Sequence, residues 1–125
     1  MKLDYLADGS PDCPLLRLYD FTSVEAGQLL TAVSELATGM TDRVEVHRLA
    51  FVEPVGGCQL FLVRSSRDQA VARVGPLEFA CGFTAGTWDN VAGLIEPFTA
   101  SAGGFQWLTG SSGEASLLLS ASGQW

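Results

Sequence analysis

The sequence predicts an α+β protein built as a two-layer sandwich: a mainly antiparallel sheet of six or seven strands with two helices packed on one face. Three features point there. Residues 22–38 carry an amphipathic helix behind its own start signal, and Thr87 to Pro97 carries a second apolar stripe at helical spacing. The rest falls into short runs rich in β-branched and aromatic residues, separated by turn signals.

Residues 1–14 read as an extended N-terminal segment and LLRLYDF (15–21) as the first strand. After it comes a capping box, in which Thr22 accepts from the third helical amide while Glu25 reaches back to the Thr22 amide. Ala26, Leu29, Leu30, Val33 and Leu36 then recur on one face, and Gly39 supplies the left-handed residue on which helices end. Asp20 precedes the cap, where a functional carboxylate would be well placed. The helix dipole favours a negative charge there without any ligand, so the structural role is the expectation.

VEVHRLAFV (44–52) and CQLFLVR (58–64) read as a hairpin around EPVGG, with Val52 opposite Cys58. AVARVGPLEFACGF (70–83) is one strand kinked at Gly75-Pro76 or two short ones. Trp88, Val91, Ala92, Ile95 and Phe98 form the stripe of the second helix, which Pro97 ends. FQWLT (105–109), the turn GSSG (110–113) and EASLLLSAS (114–122) make a last hairpin. At an offset of 62, Phe21-Thr22 falls on Phe83-Thr84 and helix positions 26, 29, 30, 33 and 36 fall on 88, 91, 92, 95 and 98. The pattern, with few identities behind it, reads either as a tandem β-α-β-β pseudo-repeat or as two similar units formed by the same packing rules.

A chain of 125 residues fits a single domain, 1–125. Hydrophobic residues at 47% against 17% charged support a packed core and leave apolar surface for a partner. The net charge is −7 and the only lysine is Lys2, so counterion release cannot drive binding and nucleic acid is not expected as a partner. No apolar run approaches the ~18 residues of a membrane span and the N-terminus lacks a secretory apolar region, which predicts a cytoplasmic protein with no membrane partner. Cys13, Cys58 and Cys81 contain no CxxC pair and read as reduced thiols.

No catalytic set emerges. His47 is the single histidine, and the hairpin register places it opposite Val63, five residues along from Cys58, or roughly 17 Å at the rise of a strand. Hydrogen-bond reach is about 3 Å. His47 and the three cysteines have none of the close spacings of a zinc site, no GxSxG occurs, and the carboxylates form no recognisable pair, so no metal and no cofactor are expected.

Two surfaces remain as candidates. In CGFTAGTWDN, glycines stand between a strand and a helix, where free amides cradle anions, although the lysine of a P-loop is missing. A ligand cleft there would use Gly82, Thr84, Gly86, Thr87, Trp88 and, from the last hairpin, Trp107. The second surface is one face of the 44–64 hairpin, on which Leu49, Phe51, Phe61 and Val63 outnumber the polar groups. The leading expectation is therefore a non-enzymatic interaction module that pairs with itself as a homodimer, or with another protein, through this face; a small-molecule binder or enzyme is the alternative.

Overall fold

The computed structural model describes residues 1–110 and 112–125; the predicted turn at 110–113 therefore lies partly outside the described residues. Twelve elements follow in chain order: β1 (Lys2–Leu6), β2 (Leu15–Tyr19), α1 (Ser23–Thr38), β3 (Arg43–Glu45), β4 (Glu53–Pro54), β5 (Gln59–Arg64), β6 (Gln69–Gly75), β7 (Glu78–Phe83), α2 (Ala85–Ile95), α3 (Pro97–Ala100), β8 (Phe105–Trp107) and β9 (Ser116–Ser120).

The capping box forms as the local chemistry dictates. The Glu25 amide donates to Thr22 Oγ1 at 3.2 Å and the Thr22 amide to Glu25 Oε1 at 3.0 Å, while Gly39 closes the helix at φ 80°. Glu25 Oε2 also accepts from the Met1 ammonium at 2.7 Å, which, with the Thr22 amide, holds this carboxyl below the usual carboxylate range. Thr22→Ala is expected to cost about 1 kcal/mol in urea unfolding. Because the Glu25 contribution is present above its unfolded pKa and lost as pH falls through the folded one, Glu25→Gln should flatten the acid limb of stability against pH. Asp20 takes the left-handed conformation (φ 55°) between β2 and the cap, and its exposed carboxylate lies 3.4 Å from Lys2 Nζ.

The predicted single antiparallel sheet is replaced by two mixed sheets, of order β4-β1-β2-β9-β8 and β3-β5-β7-β6. Both have a parallel pair at their centre, β2 with β9 and β5 with β7. The physical reason lies in burial. LLRLY has buried residues on both faces and SLLLS is buried throughout, as central strands require, but nothing local says which distant strand pairs with which. The segment before Leu15 is also more than a lead-in, since β1 pairs antiparallel with β2, Asp4 opposite Arg17.

The halves of the chain have the same connectivity. Strand-strand-helix-strand-strand runs once through β1, β2, α1, β3 and β5 and again through β6, β7, α2, β8 and β9, with β4 in the connection between β3 and β5. Each sheet takes one hairpin from each half: β1-β2 joins β9-β8, and β6-β7 joins β5-β3. Thr22 and Thr84 both cap helices with their side chains, and Ala26, Leu29, Val33 and Leu36 are buried, as are Trp88, Val91, Ile95 and Phe98. Inner faces of both sheets and the stripes of both helices meet in one core, where α1 packs on α2 and Tyr5 meets Phe79 with ring centroids 4.7 Å apart.

Three boundaries depart from expectation. The predicted strand 44–52 stops at Glu45, where Val46–Arg48 forms a 3-10 turn. His47 Nδ1 accepts the Leu60 amide at 3.1 Å, taking a bond that a longer β3 would have supplied. The register follows: Val63 lies opposite Arg43 rather than His47, and Phe61 opposite Glu45. The second helix starts at Ala85 on Thr84, earlier than Thr87, and ends at Ile95 ahead of Pro97, which also opens the short α3 that carries the last residue of the stripe, Phe98. Among the described residues no helix is long and apolar enough to cross a membrane.

Candidate functional site

The predicted anion cradle at the start of α2 is filled by the protein itself. Asp68, on the link between β5 and β6, accepts the Thr84 amide on Oδ1 at 3.0 Å and the Thr87 hydroxyl on Oδ2 at 2.7 Å. These bonds hold its carboxyl below the ordinary aspartate range. A helix N-terminus offers a few amides and a partial positive charge, and here a carboxylate already stands on them. Gly82 is buried, with the Gln69 and Ser65 side chains standing over the place a side chain would take, and Gly86 is exposed. Sequence reasoning missed Asp68 because it lies sixteen residues before Thr84, outside any capping window.

Trp88 belongs to the core. It is 1% exposed, its indole donates to the Val63 carbonyl at 3.0 Å, and its ring meets Phe83 at 4.9 Å. Trp107 lies elsewhere, on β8 of the five-stranded sheet, and lines a groove of about 640 Å³ with Pro11, Asp12, Cys13, Thr109 and Ser116. The structure thus parts the two tryptophans that the sequence placed at one cleft.

Cys13 stands partly exposed at that groove, while Cys58 and Cys81 are buried. Burial pushes the Cys58 thiol up to about 11 and the Cys81 thiol up to about 12, the direction opposite to nucleophile activation. His47 Nδ1 is committed to the Leu60 amide, so neither half of a Cys-His pair is free to act. A thiol reagent is expected to label Cys13 rapidly in the native protein, and Cys58 and Cys81 only after unfolding; mass spectrometry of briefly treated native protein checks this. Among the described residues no three His, Cys, Asp or Glu side chains converge as a metal site.

The second sheet presents the other candidate surface. Phe61 and Val63 lie half-buried on the outer side of β5, whereas Leu49 and Phe51 have left the strand and pack against the core. Strand pairing sets the outer face in rows: Glu45, Phe61, Ala80 and Ala72 in one, with Arg43, Val63 and Gly82 on one side of it and Gln59 and Glu78 on the other. Arg43, Phe61, Val63, Glu78 and Ala80 line a shallow depression of about 310 Å³. The Arg43 guanidinium lies 4.4 Å over the Phe61 ring and donates to Glu45 at 3.0 Å, and the His47 ring meets Phe61 edge-on at 5.0 Å. The sequence signal for this face is the alternation in β5, which the structure keeps as a regular strand.

Comparisons of the chain with protein-family models, with curated proteins and with solved structures found no match.

Proposed function

We propose that the protein is a non-enzymatic interaction module that self-associates through the outer face of the four-stranded sheet. One observation carries this reading: Arg43 and Glu78 stand at diagonal corners of the face with Phe61 midway between them. A second copy laid face to face about a twofold axis through Phe61 brings each Arg43 to the partner's Glu78 and stacks apolar on apolar at the centre. Ala72 and Ala80 keep the floor low, so a second sheet can approach closely. Arg43 uses one of its five donors on Glu45 and has others to offer. The single lysine and the net charge of −7 favour a protein partner over nucleic acid, and three free thiols suit a reducing, cytoplasmic setting.

Sedimentation equilibrium at tens of micromolar tests the proposal. The wild type is expected to be a dimer and Phe61→Glu a folded monomer. Arg43→Glu should dissociate the dimer as well, and Arg43→Glu with Glu78→Arg should restore it. A wild type that sediments as a monomer overturns the reading.

A small-molecule site is the second reading, and the groove beside Trp107 favours it, its volume falling in the range of ligand pockets. A thermal-shift screen of metabolites against wild type and Trp107→Ala tests it.

A further inference from the structure

Neither half of the chain can complete a sheet alone. With β4 aside, the first half owns two hairpins, β1-β2 and β3-β5, and the second owns β6-β7 and β8-β9, each two strands wide. Isolated two-stranded hairpins are marginal in water. What makes them sheets is the seam between halves: five register pairs from Leu15–Ser116 to Tyr19–Ser120, six from Gln59–Glu78 to Arg64–Phe83, and the packing of α1 on α2. The Trp88 indole bond to Val63 and the contact of Tyr5 with Phe79 cross the same seam. One covalent link joins the halves, Ser65–Asp68. It rounds the end of β7, with the Ser65 amide on the Phe83 carbonyl at 2.9 Å and Asp68 on Thr84, while Ser66 and Arg67 are exposed.

We infer that the two halves are exchangeable between molecules: the half ending in β5 closes on the half beginning at β6 of a second copy, through the same seam that it uses within its own chain. A second copy of this chain is thus a partner for either half, and the length of the Ser65–Asp68 link selects the closed monomeric unit. β7 lies between β5 and β6, so the link spans two strand spacings, roughly 10 Å. Without Ser66 and Arg67 the three remaining Cα steps reach about 10–11 Å at full extension, leaving nothing to pass around the end of β7. A shortened hinge then favours exchange.

The test is deletion of Ser66 and Arg67 in the full chain carrying Phe61→Glu, which removes the face-to-face dimer proposed above and keeps the two dimers distinguishable. The expected product sediments at twice the monomer mass, and a mixture of differently isotope-labelled chains, unfolded and refolded together, gives interchain contacts between Leu16 and Leu117 methyls. Insertion of six Gly/Ser residues at the same place should return the monomer. A folded monomer after deletion, or a dimer whose Leu16–Leu117 contacts all lie within one chain, overturns the inference. If the deletion variant aggregates, labelled Phe61→Glu chains with the intact link, co-refolded at millimolar concentration, decide the matter: a minor dimer with interchain Leu16–Leu117 contacts supports exchange, and monomer alone overturns it.

Discussion

Trp88→Ala is expected to lower the free energy of unfolding by about 3–5 kcal/mol, the range for removing a fully buried aromatic side chain. The ring is 1% exposed, sits on Phe83 at the entry to α2, and lies in the common core. Its loss opens a cavity between the second helix and a strand of the other half. Trp88→Phe separates the two contributions: most of the apolar contact survives, but the Val63 carbonyl loses its indole donor, and the expected cost falls to about 1–3 kcal/mol. Urea melts followed by circular dichroism measure both. A change below 1 kcal/mol for the alanine variant would mean that Trp88 is not packed as described.

The second large effect is expected at Arg17. Its guanidinium makes a two-point contact with Asp4, Nε to Oδ1 at 3.1 Å and Nη2 to Oδ2 at 2.7 Å, and Nη1 reaches the Gly123 carbonyl at 2.7 Å. The group lies 3.8 Å over the Tyr19 ring, and the Asp4 hydrogen bonds raise its pKa. It therefore fastens β1, β2 and the segment after β9 at one point. Arg17→Met leaves Asp4 without its partner in a mostly dry setting and should cost about 2–4 kcal/mol, somewhat under the figure for a fully buried pair because some solvent reaches both groups. Asp4→Leu combined with Arg17→Met removes the stranded charge and should recover part of that loss. A double-mutant cycle in urea reads the coupling, and strictly additive losses would show that the pair is not a unit.

What the sequence showed and what it hid divide by distance along the chain. The Thr22–Glu25 box, the Gly39 stop and the two helical stripes depend on residues three or four apart, so their physics is complete within a short window. The β8-β9 hairpin is similarly local. The pairing of β2 with β9 leaves no such trace, because an apolar strand looks the same whether its neighbour is eight residues away or a hundred. The hairpin register failed where β3 gives way to the 3-10 turn Val46–Arg48: the His47 ring takes the Leu60 amide there, and Leu49 and Phe51 pack against the core. Asp68 was hidden for the same reason as the strand pairing, and the anion cradle it fills was visible only as an empty motif.

The interleaved sheets also set an order of events in time. Leu15 pairs with Ser116, roughly a hundred residues further on, and until that contact forms β1 and β2 have only the two-residue β4 as a neighbouring strand. During synthesis the first hairpin and α1 emerge early and stay without their main partner until β9 has cleared the ribosome. Contacts of such long range slow folding, since the loop must close before the strands gain from pairing. Folding of the first half is thus expected to wait for the second, with Leu16 and Leu18 exposed in the interval, when a newly made chain is most open to chaperones and to aggregation.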